Sequence, residues 1–357
     1  MVSQRFIAKN LQKRSWLSWC LYPLSLLWTL IHVVRRWLHL KILSLPRVKG
    51  ITVISVGNLI SGGSGRTPLV IFLARYLSEK GQKVAVCIRG YKGLYEENTT
   101  IISDITGLLP EAENAGDEAQ LLTEKLPGIP VVVGKNRFVS VQMIRKRFPD
   151  ISVVILDDAF QNFTIQHDLD FLIFDSWGGI GNGFTIPAGL LREPLSAAKF
   201  ADCLVANGEA PIPLTGKPIL RTGYQLESIY NAFNEIIPID SLEGKQVLAV
   251  SGIGQPRSFE KTIREAGGIV QNHLAFTDHH AYSQKNISEI RRKLAASSVV
   301  CVTEKDWVKL RKLDLKGIPF YVLHVGFQIT DKIKLDKLLN VSLCGKLKDA
   351  RIDVKNE

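Results

Sequence analysis

The first fifty residues contain no aspartate and no glutamate. They do contain Arg5, Lys9, Lys13, Arg14, Arg35, Arg36, Lys41, Arg47 and Lys49, which supply +9 of the chain's formal net charge of +11. The rest of the 357-residue chain is close to neutral. That distribution argues against a nucleic-acid-binding fold and for an anionic surface met by the N-terminal segment. Cysteine is scarce as well: Cys20, Cys87, Cys203, Cys301 and Cys344 lie far apart. No pair has metal-ligand spacing, and an odd, scattered set fits a reducing compartment and packing roles. There is no internal repeat and no low-complexity tract. No small-residue cleavage site follows the apolar N-terminal run, because Val34 leads into Arg35, Arg36 and Trp37. A cleaved signal peptide is therefore not expected.

The N-terminal run itself, Trp16 to Val34, is nineteen residues without a charge. As a helix it is about 28 Å long, close to a hydrocarbon core. Ser18, Tyr22, Ser25, Thr29 and His32 recur at spacings of four, three, four and three, a polar stripe down one face. Trp16, Trp19, Trp28 and Trp37 suit a membrane–water interface. Pro23 either kinks the helix or marks its start. The pattern predicts a helix lying in or dipping into one leaflet. A single transmembrane anchor is the second reading, and a core helix of the globular domain is the plain one.

The most informative stretch is Ser55-Val-Gly-Asn-Leu-Ile-Ser-Gly-Gly-Ser-Gly-Arg-Thr-Pro68. It follows an apolar run, Ile51 to Val56, that reads as a buried strand, and precedes a helix-patterned run, Leu69 to Leu77. Glycines let the backbone approach a ligand and aim successive amides into one concavity, and the helix behind adds its positive end. Strand, glycine loop and Thr67 at a helix start form the layout of a phosphate-binding P-loop. The usual lysine position holds Arg66, which keeps the charge but presents a planar fork. The plain alternative is an ordinary glycine-rich strand-to-helix turn.

Downstream, apolar strands end in charged residues. Lys83 to Ile88 leads into Arg89-Gly-Tyr91, where Arg89 presents a cation to a ligand or simply sits on a surface turn. Residues 94–113 read as irregular or hairpin. A helix opens near Asp117 and Glu118, whose acids complement its dipole. Ile151 to Leu156 is a buried strand ending in Asp157-Asp158, as a Walker B segment does. Its carboxylate reaches a Mg²⁺ whose other protein ligand is the P-loop hydroxyl, here Thr67. Two acids capping a turn are the plain reading. Arg192 lies in a proline-stiffened loop, the kind that carries binding groups. Strands and helices alternate from about 50 to 210, which argues a parallel α/β sheet. The stretch from Ile219 to Asp240 reads as a connector with short strands. Gln246 to Val250 starts a second α/β unit, in which Ser251-Gly-Ile-Gly-Gln255 is a weak lone G-x-G. Asp278-His279-His280 is open to a metal, base or surface role. Val299 to Val302 ends in Thr303-Glu-Lys-Asp306.

Taken together, the chain resembles the tetraacyldisaccharide 4′-kinase family of Gram-negative bacteria, from about residue 12 to residue 340. The resemblance rests on Gly57-Asn58, Gly62-Gly63-Ser64-Gly65-Arg66-Thr67-Pro68, Arg89-Gly-Tyr91, Gly116-Asp-Glu118, Val133-Gly-Lys-Asn-Arg137, Leu156-Asp-Asp-Ala-Phe-Gln161, Pro187-Ala-Gly-Leu-Leu-Arg-Glu-Pro194, Phe276-Thr-Asp-His-His280 and Thr303-Glu-Lys-Asp306, in that order. It implies ATP- and Mg²⁺-dependent phosphorylation of the 4′-hydroxyl of a tetraacylated glucosamine disaccharide 1-phosphate, a lipid A precursor. It implies two P-loop-like lobes that close on nucleotide, and peripheral, monotopic attachment through the N-terminal helix to anionic lipid on the cytoplasmic face of the inner membrane.

Carried over residue by residue, the Gly62, Gly63, Ser64 and Gly65 amides cradle phosphates and Arg66 neutralises them. Thr67 and Asp157 hold Mg²⁺ with Asp158 near. Asp117 with His279 forms the base pair, His280 being the other register. Asn58, Arg89 and Arg192 meet phosphate or substrate. The family's usual lysine, glycine and histidine are Arg66, Ala159 and Asn162 here. The expected organisation is a membrane-associated helix in 1–45, a P-loop lobe in 46–215, a connector in 216–240, a smaller α/β lobe in 241–345 and a polar tail in 346–357. A monomer without a nucleic-acid partner is expected. The rival readings are a nucleotide-dependent switch or chaperone, a membrane-associated glycosyltransferase, and an inactive relative suggested by Arg66.

Overall fold

The computed structural model describes residues 13–61, 65–90, 95–109, 115–175, 179–208, 210, 212, 216–253, 256–277, 280–294 and 299–353. The chain divides into two compact units, Met1–Thr222 with Ile329–Glu357, and Gly223–Gln328.

In the first unit, α1 (Trp16–Lys41) precedes β1 (Thr52–Gly57), α2 (Arg66–Glu79), β2 (Val84–Ile88), β3 (Thr100–Asp104) and β4 (Gly107–Leu108). Next come α3 (Asp117–Lys125), β5 (Val131–Val133), α4 (Arg137–Arg147), β6 (Val153–Asp157), β7 (Leu169–Asp175), a 3-10 turn (Leu195–Phe200) and β8 (Cys203–Asn207). Strands β8, β7, β1, β6, β2 and β5 lie side by side in that order, all parallel, and the β3–β4 hairpin continues the sheet antiparallel to β5. Every residue of β1, β2, β6 and β8 is buried. That is why these strands read as unbroken apolar runs, as parallel strands covered on both faces do. The chain runs from β1 outward to β2 and β5, returns to β6, then crosses to β7 and β8. The strand order reverses at β1, and the carboxyl ends next to it form the crevice where open α/β sheets bind ligands. Helix α2 covers this centre with Leu69, Val70, Leu73, Ala74 and Leu77, all buried.

Strand β9 (Ile219–Asn231) leaves the first unit at Thr222, and β10 (Ile236–Ile237) pairs back onto it. The short strands expected of a connector are thus one strand of thirteen residues. Its buried positions, Leu220, Thr222 and Ile229, are separated by exposed polar residues, so no apolar run betrays it. The second unit continues with β11 (Gln246–Ser251), α5 (Pro256–Glu265), β12 (Ile269–Ala275), α6 (Gln284–Lys293), β13 (Val299–Thr303), α7 (Glu304–Leu310) and β14 (Phe320–Ile329). Strands β12, β11, β13 and β14 are parallel in that order. The terminal α8 (Lys332–Asp353), which covers residues assigned by the sequence to the smaller lobe (to 345) and to the polar tail (from 346), groups with the first unit. Leu335 and Leu339 are buried, and Asp336 accepts from Tyr76 Oη of α2 (2.8 Å) and pairs with Lys80 (2.7 Å).

Helix α1 runs through Pro23 without stopping, from an N-cap at Ser15 to Lys41. Its polar stripe faces protein. Ser25 Oγ donates to the Thr185 carbonyl (2.8 Å) and accepts from the Ala188 amide (2.9 Å). Thr29 Oγ1 meets Thr185 Oγ1 (2.9 Å), and Ser18 Oγ accepts from Asn182 Nδ2 (3.2 Å). Arg36, counted in the sequence among the basic residues of a membrane-facing segment, is buried. It donates to Glu193 Oε2 (2.6 Å) and to the Phe160 carbonyl (3.1 Å). A buried ion pair between residues this far apart in sequence leaves no local signal. The apolar side chains Leu24, Leu27, Leu30, Ile31 and Val34, with Trp16, Trp19 and Trp37, are left exposed. The usual amphipathic arrangement is inverted: hydrogen bonds fix the helix to the protein and its greasy face points outward.

Candidate active site

The turn after β1 brings the chain to Gly65, whose φ of 76° is open to glycine at little cost. A side chain there would strike Asn207 Nδ2 at 2.9 Å. Asn207 ends β8 and is itself fixed by hydrogen bonds to Asp175 Oδ1 (3.1 Å) and from Thr222 Oγ1 (3.2 Å). Gly65 is the N-cap of α2, so no side chain caps that helix, and its first turn holds no acid. Its N-terminal dipole meets no side-chain cap and no acid of its own first turn, as suits an anion site. Thr67 lies in this first turn. Gly62, Gly63 and Ser64, expected to cradle phosphates, lie outside the described residues.

Asp157 ends β6, the neighbour of β1, with Val56 opposite Asp157 in register. It is buried, and its Oδ1 has no hydrogen-bond partner among the described residues. Burial pushes its carboxyl up to about 6, against the opposing pull of Arg66. Below it, Arg137 is wholly buried and donates to the Asp157 carbonyl (2.8 Å) and to the Gly134 carbonyl. Burial pulls the Arg137 pKa down, yet the side chain is committed to these carbonyls at the strand end. The Val133-Gly-Lys-Asn-Arg137 motif was visible in the sequence; its use as an internal strut was not.

Asp158 takes a left-handed φ of 50°. Arg192 Nη1 donates to both of its carboxylate oxygens (2.9 and 3.0 Å), and Arg66 is ion-paired with it. Burial alone would raise the Asp158 pKa, but the two guanidinium groups outweigh burial and lower it. Arg66 Nη1 also reaches Asn58 Oδ1 (3.3 Å). The structure therefore gathers Asn58, Arg66, Asp157, Asp158 and Arg192 around one strand-edge crevice. Arg89 is paired with Glu96 (2.7 Å). Asp117 opens α3. Asp278 and His279 lie outside the described residues. His280 stacks on Phe276 (4.5 Å between ring centres), meets the edge of Tyr282, and bonds Asn286 (3.3 Å). It is a packed ring whose neighbours account for it. Of the two departures beside the acids, Ala159 is buried core, and Asn162 closes a turn by accepting from Thr164 N (2.9 Å) and Oγ1 (2.6 Å).

An uncapped helix start behind a left-handed glycine, a hydroxyl in its first turn and a buried carboxylate oxygen on the adjacent strand, without a hydrogen-bond partner among the described residues, are the marks of a P-loop nucleotide-binding protein. The model of the tetraacyldisaccharide-1-P 4′-kinase family matches residues 17–343. The tetraacyldisaccharide 4′-kinase of Pelobacter propionicus is 41% identical over 315 residues, 85% of each chain, and that of Halothermothrix orenii 34% identical over 357, 90% of this chain and 92% of its own. The crystal structure of the "apo" form LpxK from Aquifex aeolicus in complex with ATP superposes with a TM-score of 0.69 at 31% identity, covering 92% of this chain and 99% of that one. The chain belongs to the tetraacyldisaccharide-1-P 4′-kinase family.

Proposed function

We infer that this enzyme transfers the γ-phosphate of ATP to the 4′-hydroxyl of a tetraacylated glucosamine disaccharide 1-phosphate, with Mg²⁺. The observation that carries this reading for the chain's own site is the buried Asp157 Oδ1, without a hydrogen-bond partner among the described residues, at the end of the strand paired with β1, which leads into α2. A buried oxygen without a donor costs about 1–3 kcal/mol, an arrangement suited to an oxygen reserved for a cation.

Thr67 and Asp157 are the residues that would hold Mg²⁺. Bound there, Mg²⁺ would supply positive charge against the negative charge that builds on the transferring phosphoryl group. The amides at the start of α2 hold the β- and γ-phosphates, and Arg66 supplies the cation that lysine gives elsewhere. Arg192 keeps Asp158 paired, so that carboxylate does not repel the incoming phosphates. Asp117 takes the proton of the 4′-hydroxyl as the new P–O bond forms and the bond to ADP breaks, the role of a general base. Asn58 and Arg89 lie on the substrate side. On this account Asp117→Asn lowers turnover about a hundredfold while ATP still binds. A nucleotide switch would respond to ATP unchanged in the variant, so single-turnover kinetics with a parallel binding titration separate the two.

The enzyme works as a monomer on the cytoplasmic face of the inner membrane. The exposed apolar face of α1 rests in the leaflet and the basic N-terminal segment meets anionic headgroups. Removing residues 1–36 would test this poorly, because it strips Arg36 from the buried Glu193 and destabilises the fold. Leu27→Gln, Leu30→Gln and Ile31→Gln together, all on the exposed face, are the sounder change. Activity on detergent-dispersed substrate should be retained, while activity on substrate embedded in vesicles should fall about tenfold or more. Equal rates on vesicles would mean that α1 is not the anchor.

A further inference from the structure

The second unit presents an aromatic tip beside a set of cations, and the reaction uses neither. The β9–β10 connection is a rigid turn. Asn231 Oδ1 accepts from the amides of Phe233 (2.9 Å) and Glu235 (3.0 Å), and its Nδ2 donates to Glu235 Oε2 (2.6 Å). Asn234 takes a left-handed φ of 66°, which asparagine tolerates. The turn holds Phe233 83% exposed, with Ile236 72% exposed beside it. A fixed turn that keeps a phenyl ring in water forgoes the roughly 2 kcal/mol that burying it would contribute.

Next to the tip is an open hollow of about 850 Å³, lined in part by Phe233, Trp307, Leu313 and Leu315, with Arg311 and Lys316 on the same wall. Arg291 is tied to this wall, donating to the carbonyls of Asp314 (3.3 Å) and Lys316 (2.9 Å). Arg292 and Lys312 are exposed neighbours in sequence. Among the described residues of the turn and the hollow's wall, the acids are Glu235, held by Asn231, and Asp314, whose Oδ1 accepts from the Lys316 amide (3.2 Å). The cations outnumber them, and the patch is positive. Its chemistry complements the outer layer of an anionic bilayer: guanidinium and ammonium groups for headgroup phosphates, an aromatic ring and a greasy hollow for the acyl boundary.

We propose that this tip is a second membrane contact, through which the second unit binds anionic phospholipid independently of α1. It rests on the reading that the enzyme works at a bilayer. The test is co-sedimentation of full-length protein with phosphatidylcholine vesicles, with and without phosphatidylglycerol. Four proteins are compared: wild type, Phe233→Ser, Arg311→Ser with Lys316→Ser, and the three-glutamine α1 variant. Phe233→Ser and the double serine variant should each weaken partition to anionic vesicles about tenfold. The double variant should match wild type on neutral vesicles and in high salt. Both should keep wild-type melting and turnover on detergent-dispersed substrate, since all three positions are exposed. Wild-type partition by both variants overturns the proposal. If they bind normally while the α1 variant fails, the tip is no contact and the anchor reading stands. If they fail while the α1 variant binds normally, the anchor reading falls and the tip stands.

Discussion

Asp157→Asn is expected to lower turnover at least a thousandfold and, without metal or nucleotide, to make the protein more stable at neutral pH. The first effect follows from losing the charged oxygen that would hold Mg²⁺, an interaction worth several kcal/mol in a phosphoryl-transfer transition state. The second follows from burial. The folded-state carboxyl titrates at about 6, above its ordinary value near 4, because it is desolvated. A raised carboxyl pKa means the native state binds the proton more tightly than the unfolded chain does. Stability from this group is therefore present at low pH, declines as pH rises between about 4 and 6, and stays reduced above. The cost at pH 7.5 is on the order of 3 kcal/mol, and asparagine does not incur it. Urea melts in EDTA at pH 5 and 7.5 check this: the gap between variant and wild type should widen at the higher pH. A variant no more stable than wild type at pH 7.5 would remove the idea that this carboxylate is held ionised for a ligand.

The second large effect concerns Arg66. Its guanidinium is engaged with Asp158 and Asn58, and Arg192 grips Asp158 from the other side. Arg66→Ala removes the only cation placed at the lysine position of the P-loop, and kcat/KM for ATP should fall about a thousandfold. Arg66→Lys should retain activity, because a point charge on a flexible stem reaches phosphate well. Asp158→Asn should have a split effect. Nucleotide phosphates compete with Asp158 for Arg66, so removing its charge should tighten Mg²⁺-free ATP binding about tenfold while turnover falls. Calorimetry in EDTA reads this directly. Weaker ATP binding by Asp158→Asn would show that the acid assists phosphate binding rather than competing with it.

The elements that carry the candidate nucleotide site were legible because their signals are local. β1 and β6 are continuous apolar runs, Gly65 and Thr67 open the helix that follows the first, and Asp157 ends the second, its neighbour in the sheet. What escaped detection joins distant residues. Arg36 and Glu193 look like a surface cation and a loop acid until the fold buries them together. Arg137 stood in the Val133-Gly-Lys-Asn-Arg137 motif without a role, and it is a strut under the end of β6. Asn207 carried no motif, yet it sets the floor against which Gly65 packs. The stripe from Ser18 to His32 was readable as one helix face. Which side it turned to was not, because a polar face suits water and a hydrogen-bonding loop equally well. Thr185 and Ala188, which accept and donate to Ser25, decide it.

The central claim is that a P-loop with arginine at the lysine position makes this chain a working kinase. The most direct test is transfer of radiolabelled γ-phosphate from ATP to purified tetraacyl disaccharide 1-phosphate, in detergent with Mg²⁺. Wild type should label the lipid at the 4′ position, with labelling lost in EDTA and in Asp157→Asn. No label from wild type, under conditions where a related kinase labels the same lipid, would contradict the account, and label from Arg66→Lys alone would locate the failure at Arg66.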